Sequence, residues 1–369
     1  MAHGYPEQAS PAAASTDCLS CRAFGSVRPS AHAHYGSSGR APLASLTGVQ
    51  VLGTGAYVPE AVVCNEDLAE LGYDADWIVQ RTGIQQRRHA SADAATSDLA
   101  YEAAVRCLDN AGVSSGDVDL ILVATMTPDT FTPSTACTVQ RRLDAVAPAM
   151  DINAACSGFI YALVVGMQFV KSGCSRRVLV IGSDTMSRII NPADKKTFPL
   201  FGDGAGAVLV GAGEDDQGFL SYSLGSEGDF GALLSIPGGG SRAPLTAAAL
   251  EQGQQYLRMD GRAVFKWAVR MIGDIAVDVL RHAELTVDDI DVVVMHQANL
   301  RIIDAAADAM GVDREKVLVN LDRYGNTTAA SVPLVLEEAV TEGRLRQGGL
   351  ALVMGFGAGL TWGAGVLRY

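Results

Sequence analysis

A-V-R-C-L-D-N-A-G-V-S-S-G-D-V-D-L-I-L-V-A (residues 104–124) comes back 172 residues later as A-V-D-V-L-R-H-A-E-L-T-V-D-D-I-D-V-V-V-M-H (residues 276–296). Apolar positions fall on apolar positions, and Asp117 and Asp119 fall on Asp289 and Asp291. Each copy runs from a helical period into an apolar strand such as D-L-I-L-V-A-T (residues 119–125), the kind a parallel sheet buries on both faces. The endings match less literally: F-G-D-G-A-G-A-V-L-V (residues 201–210) resembles G-F-G-A-G-L-T-W-G-A-G-V-L-R-Y (residues 355–369). The chain therefore divides into two similar α/β halves joined near residues 215–225, and a period this long excludes a solenoid. A duplicated half implies sheets packed on shared helices, with a site at the pseudo-twofold junction where corresponding strand ends meet.

Composition narrows the function classes. Hydrophobic residues at 48% and charged residues at 19% of 369 fit a globular protein with a large core. A net charge of -13 argues against nucleic acid as a partner, so any functional basic patch must be local. The seven cysteines, at 18, 21, 64, 107, 137, 156 and 174, are scattered and suit a reducing compartment. The longest apolar run, residues 159–170, is about half a membrane span and contains Gln168, so no transmembrane helix is predicted.

Residues 1–46 are rich in Ala, Ser, Pro and Gly without an apolar period, which predicts a disordered extension. Their serine content and scarcity of acids also fit an organelle transit peptide, although arginines are few; an overlong start is the third reading. Cys18 and Cys21 form a C-x-x-C with no second pair to complete a metal site. Regular structure is expected from residue 49, where a strand runs to a turn at Pro59. Asn65 is expected to cap a helix over residues 66–71, and Asp76 or Trp77 to open another. A helix over residues 97–111 ends at Gly112, and further buried strands fall at 177–182 and 206–211.

The chemistry centres on D-I-N-A-A-C-S-G-F-I-Y-A-L (residues 151–163), which sets Cys156 between a short strand and a helix start. Unpaired N–H groups there would lower the thiol pKa and expose a nucleophile, with the Cys156 N–H offered to an oxyanion. The second half supplies His296 at the carboxyl end of an apolar strand, in H-Q-A-N-L-R, and Asn326 in a glycine turn, in Y-G-N-T-T-A-A-S. Alone, each reads as a core or turn residue. Together they suit a thiol that takes an acyl group and two neutral donors that hold the enolate left by a decarboxylating thioester. A papain-like hydrolase would also use Cys, His and Asn. The His and Asn lie only 30 residues apart, however, and the cysteine lacks the protease signature.

These residues sit in an ordered set of motifs: G-T-G-A-Y-V-P-E, D-W-I-V-Q-R-T-G-I, A-A-C-S-G-F, F-G-D-G-A-G-A, H-Q-A-N-L-R-I-I, D-R-Y-G-N-T-T-A-A-S and F-G-A-G-L-T-W-G. From about Leu46 to Tyr369 the chain resembles the β-ketoacyl-[acyl-carrier-protein] synthase III family, the initiating condensing enzymes of type II fatty acid synthesis. The resemblance implies the thiolase-like fold, five layers αβαβα, with one half over residues 47–220 carrying the cysteine and another over 221–369 carrying His and Asn. It implies a homodimer formed through the first half, in the cytoplasm, or in a plastid if residues 1–46 are a transit peptide. It implies acyl-CoA, most simply acetyl-CoA, and malonyl-acyl carrier protein as substrates, with no cofactor or metal.

By the same resemblance Cys156 is the nucleophile, His296 and Asn326 the decarboxylation pair, and the backbone N–H groups of Cys156 and Ala358 the oxyanion hole. Trp77, Arg81 and Lys195 match residues near the coenzyme A nucleotide. Gly261, Phe265, Ala298 and Asn299 match the pantetheine channel. The carrier-protein strip corresponds to Gln297, Ala298, Asn299, Leu300 and Arg301, with Lys266 and Arg262 beside it. Lys195 stands where relatives carry an arginine, and a lysine cannot stack as a planar cation. Relatives often place Phe directly before the proline matching Pro133. Here that position is Thr132 and the phenylalanine is Phe131, which leaves the primer's chain length open. Two rival readings are a homologous acyltransferase or specialised-metabolite condensing enzyme, and a non-catalytic carrier-binding scaffold.

Overall fold

Two mixed β-sheets face each other across a pair of buried helices, and the sequence repeat explains why. A computed structural model gives the structure of residues 34–35 and 41–369. The C-x-x-C of Cys18 and Cys21 lies outside the described residues, as does the rest of the expected extension apart from residues 34–35 and 41–46. The chain begins with strands β1 (His34–Tyr35), β2 (Pro42–Thr47) and β3 (Val49–Tyr57). A small ribbon, β4 (Val62–Cys64) and β5 (Gln86–Arg88), brackets helix α1 (Ala75–Thr82). There follow α2 (Thr96–Ala111), β6 (Leu120–Ala124), α3 (Thr135–Arg142), β7 (Ala149–Ile152), α4 (Gly158–Lys171), β8 (Arg177–Asp184) and β9 (Gly204–Ala212). The second half runs β10 (Gly218–Ser226), β11 (Leu234–Ser235), α5 (Ala247–Glu251), β12 (Arg258–Met259), α6 (Gly261–His282), β13 (Val292–Met295), α7 (Leu300–Met310), α8 (Leu321–Tyr324), α9 (Ser331–Thr341), β14 (Leu350–Gly357) and β15 (Thr361–Arg368).

The first sheet has the order β3-β9-β8-β6-β7 and the second β1-β2-β10-β15-β14-β13. In both, the strand of the repeated segment, β6 or β13, runs parallel to a longer neighbour, β8 or β14. That neighbour pairs antiparallel with β9 or β15. The correspondence is residue for residue: the 3-10 turn Ser115–Asp117 before β6 falls on Val287–Asp289 before β13. Glu284 even adopts φ 57°, the left-handed conformation that Gly112 takes at φ 62° after the equivalent helix.

Five layers result. Helices α2 and α3 cover the outer face of the first sheet, with a core of Leu99, Ala103, Ile121 and Leu179. Helices α6 and α7 cover the second, around Met271, Ile275, Val293 and Ile303. Between the sheets, Phe159 and Leu163 of α4 and Val332 and Leu336 of α9 pack against Leu122, Val180, Val294 and Val353. Each sheet is thus buried on both faces, which is why β6 and β13 are continuous apolar runs.

Three local expectations change. Pro42–Thr47 is a strand of the second sheet, pairing antiparallel with β10, so the N-terminal extension does not reach residue 46. Asn65 precedes a 3-10 turn, Glu66–Leu71, but makes no capping bond; its buried side chain donates to Ile84 O (2.8 Å) and accepts from Arg87 (2.7 Å). Helix α1 opens at Ala75, because Asp74 accepts the Trp77 N–H and so takes the cap. The chain passes from β9 of the first sheet to β10 of the second over residues 213–217.

Candidate active site

Cys156 lies in a 3-10 turn, Ala155–Ser157, between β7 and α4. The turn is tight: Ala155 has φ 47°, and its N–H donates to Asn153 Oδ1 at 3.2 Å. Ser157 Oγ lies 2.8 Å from Thr361 Oγ1, tying the turn to β15 of the other half. Gly357 of β14 runs so close that a Cβ there would fall 2.6 Å from Cys156 N. Cys156 is therefore held against the second sheet by backbone contact.

Its electrostatics overturn the expected thiolate. Cys156 is only 6% exposed. Burial pushes its pKa up to about 12, and the Asp184 carboxylate adds in the same direction. Removing a charged sulfur from water disfavours the thiolate. The resting group is a thiol.

His296 follows β13, its N–H donating to Met354 O at 2.8 Å. Ser331 Oγ sits 2.6 Å from His296 Nδ1 and accepts the Gln297 N–H at 3.3 Å. The serine hydrogen can be donated to Nδ1, an arrangement compatible with the Nε2–H tautomer. Burial depresses the imidazole pKa to about 3, so the ring is neutral. The Phe356 ring meets it edge to face, centroids 5.1 Å apart.

Asn326 depends on Gly325, whose φ 65° and ψ -159° belong to glycine. The first half then grips its backbone: Asn326 N donates to Leu200 O (2.8 Å) and its carbonyl accepts from Gly202 N (3.1 Å). The side-chain Oδ1 accepts the Thr328 N–H at 2.9 Å, which turns the amide NH2 away from that contact. One cavity of about 540 Å³ has Cys156, His296, Asn326 and Ala358 together on its wall. A thiol and two neutral N–H donors, from opposite halves, thus face one space.

Comparison with known proteins bears on this arrangement. Residues 150–228 match the family description 3-oxoacyl-[acyl-carrier-protein (ACP)] synthase III, and residues 280–369 match that family's C-terminal region. A β-ketoacyl-[acyl-carrier-protein] synthase III of Rhodopirellula baltica is 57% identical over 89% of this chain and 100% of its own length. The chain belongs to the β-ketoacyl-[acyl-carrier-protein] synthase III family. Members are condensing acyltransferases, and this chain is one. The crystal structure of 3-oxoacyl-[acyl-carrier-protein] synthase III from Aquifex aeolicus superposes with a TM-score of 0.81 at 42% identity, covering 87% of this chain and all of that one. That of the priming β-ketosynthase of the R1128 polyketide pathway gives 0.80 at 36%, covering 88% and 97%. The thiolase-like fold of the synthase III family is the fold of this chain.

The cavity wall of this synthase also carries Trp77, Arg81, Lys195, Gly261, Phe265, Ala298, Asn299, Arg262 and Arg301. Arg81 lies over the Trp77 ring, 5.9 Å from its centroid, and Trp77 is 46% exposed. Lys195 donates to Gly72 O at 2.6 Å and lies over Tyr73, so its charge is anchored at the rim. Asn299 caps α7 by accepting from Arg301 N, and donates to Arg81 O.

Three residues of the expected carrier strip stand apart from the cavity. Gln297 has no exposed surface: its amide donates to Met295 O and Leu318 O and accepts from Asn320 N. It cannot touch a carrier protein. Its neighbour Leu300 is half-buried and packs on Gly83. Lys266 is exposed beside the cavity without lining it.

Sequence reasoning missed Lys196, a fifth cation on a wall that includes no Asp or Glu. It also missed Ser331, Phe356 and the buried Asp184, whose short motif S-D-T carries no local signal. Among the described residues, no group of His, Cys, Asp and Glu is placed to hold a metal ion, and no helix is long and apolar enough to cross a membrane.

Proposed function

We propose that this synthase primes fatty acid synthesis, joining acetyl-CoA to malonyl-acyl carrier protein to give 3-oxoacyl-acyl carrier protein, CO2 and CoA. The observation that carries the reading is the convergence of Cys156, His296 and Asn326 on one cavity with five cations on its wall. In the first step Cys156 Sγ attacks the acyl-CoA carbonyl. The C–S bond to CoA breaks, and the thiol proton leaves with the CoA sulfur, so a neutral thiol is a competent starting state. The oxyanion of the tetrahedral intermediate is met by the Cys156 and Ala358 N–H groups.

In the second step the C–CO2 bond of the malonyl thioester breaks, and its electron pair forms an enolate. His296 Nε2–H and the Asn326 amide N–H donate to the enolate oxygen. Both donors are neutral, so neither protonates the carbanion. The carbanion then attacks the acyl-Cys156 carbonyl, the C–C bond forms, and sulfur leaves to take up a proton.

Arg81, Lys195, Lys196, Arg262 and Arg301 suit the phosphates of CoA and of the carrier's pantetheine arm, and Trp77 offers a face to adenine. On a chain of net charge -13 this local field would steer acidic partners. Lys266 and Arg262 extend it along α6 towards the carrier. Apolar walls from Met126, Met186, Phe201 and Leu257 suit a short acyl chain. The proposed route uses no metal or cofactor. A homodimer is proposed through β7, an edge strand paired only with β6, beside Phe131 (87% exposed) and Val146 (94%). The free cysteines at 64, 107, 137, 156 and 174 suit the cytoplasm.

The test mixes the protein with a panel of acyl-CoAs, reads the mass of Cys156, and then adds malonyl-acyl carrier protein. Acetylation followed by ketoacyl product, both absent in Cys156→Ala, is expected. Acylation without condensation favours the acyltransferase reading, and no acylation refutes the catalytic one.

A further inference from the structure

Asp184, the last residue of β8, is fully buried, and the steps above give it no part. It is met from both halves of the chain. Its Oδ1 accepts from Thr125 Oγ1 (2.9 Å), Met126 N (2.8 Å), Thr127 N (3.1 Å) and Thr127 Oγ1 (2.8 Å), all in the first half. Its Oδ2 accepts from Ala329 N (3.1 Å) and from the Thr328 hydroxyl, both in the second. Three of these donors are backbone N–H groups, which can only donate, so the site is built for an acceptor.

Activation of the nucleophile does not explain the group. A carboxylate here opposes ionisation of Cys156 rather than assisting it. The other side of the contact is more informative. Thr328 has φ 49°, a conformation that β-branched residues rarely adopt, so the turn needs an outside tether. Its N–H is the donor that holds Asn326 Oδ1 and so sets which edge of the amide faces the cavity.

We propose that Asp184 is a positioning residue for the decarboxylation step: by holding Thr328 across the junction of the two halves, it fixes the amide orientation of Asn326. The inference rests on the role given to Asn326 above. It predicts a kinetic split. Loosening the tether slows loss of CO2, where Asn326 acts, and spares transfer of the acyl group to Cys156, where it does not.

The experiment compares Thr328→Val, Thr328→Ser, Asp184→Asn and Asn326→Ala with the wild type. Acetyl transfer from acetyl-CoA is read by intact mass in a single turnover, and CO2 release from malonyl-acyl carrier protein is read without primer. Removing one aligned donor costs about 100-fold or more, so a misaligned one should cost about tenfold to 100-fold. Thr328→Val is expected to lose CO2 release by that factor with acetylation within about twofold, and Thr328→Ser to restore it. Asp184→Asn should move the same way. Should it fail to fold, as a thermal melt would show, Thr328→Val carries the test, because Ala329 N still holds Oδ2.

Unchanged CO2 release in Thr328→Val overturns the proposal. So does an equal fall of both steps without rescue by serine, since that is the mark of a merely structural contact. If Asn326→Ala itself releases CO2 at the wild-type rate, the failure belongs to the role of Asn326 and not to its tether.

Discussion

Gly357→Ala would place a methyl group 2.6 Å from the backbone nitrogen of Cys156 and 3.2 Å from its Cα and Cβ. Ordinary contact begins near 3.4 Å, so β14 and the turn carrying the nucleophile must separate by about 0.8 Å. The group in the way is backbone, which cannot swing aside like a long side chain. Nor does the backbone at Gly357 forbid alanine, because its φ is not in the left-handed region. The effect is therefore steric and is aimed at the Cys156 sulfur and the proposed oxyanion donors beside it.

Overpacking of this kind costs about 1–3 kcal/mol of stability, which a domain of this size survives. Misplacing a reacting group by about 1 Å costs roughly 100-fold in rate, or about 2.7 kcal/mol. Single-turnover acetylation of Cys156, read by mass, should thus fall about 100-fold at a melting temperature lowered by only a few degrees. Gly273→Ala is the control: its methyl meets Ala309 Cβ at an ordinary 3.6 Å, and acetylation should not change. Wild-type acetylation in Gly357→Ala would refute the claim that this strand holds the nucleophile in place.

The remaining predictions concern pH. With the thiol raised to about 12, iodoacetamide alkylation of Cys156 should climb about tenfold per pH unit through pH 9; a plateau near pH 7 would reinstate the depressed thiol. His296 is depressed to about 3, against 6.5 when unfolded, so the unfolded state binds more protons between those values. This contribution to stability is complete above pH 6.5 and is lost as pH falls, by about 2 kcal/mol at pH 5. His296→Gln should flatten that acid limb of the denaturant midpoint, and an unchanged slope would contradict the neutral, buried imidazole.

What was legible in the sequence followed from short-range pattern. The copy of residues 104–124 at 276–296 required only that two segments share an apolar period, and both became a helix end, a 3-10 turn and a buried strand. Cys156, His296 and Asn326 were legible because each sits at a local landmark: a helix start, a strand end and a glycine turn. Gln297 was misplaced because a polar run gives no sign of which side chain turns inward. Its burial is decided by Leu318 and Asn320, more than twenty residues on. The strand Pro42–Thr47 was missed for a similar reason, since its partner β10 lies beyond the whole first half.

The sequence by itself determined the duplication, the packing of its sheets on shared helices, and the types of side chain available for chemistry, because period and residue identity are local properties. Tertiary structure alone decided how those side chains behave. A helix start is visible in the chain and argues for a thiolate, but the burial that makes Cys156 a thiol comes from packing by distant residues. His296 is neutral through burial and is packed against Ser331 and Phe356 of its own half, whereas the backbone and turn of Asn326 are held by Leu200 and Asp184, brought near only when the two halves close on each other. Desolvation and hydrogen-bond direction depend on what surrounds a group in space, and the order of residues along the chain does not contain that.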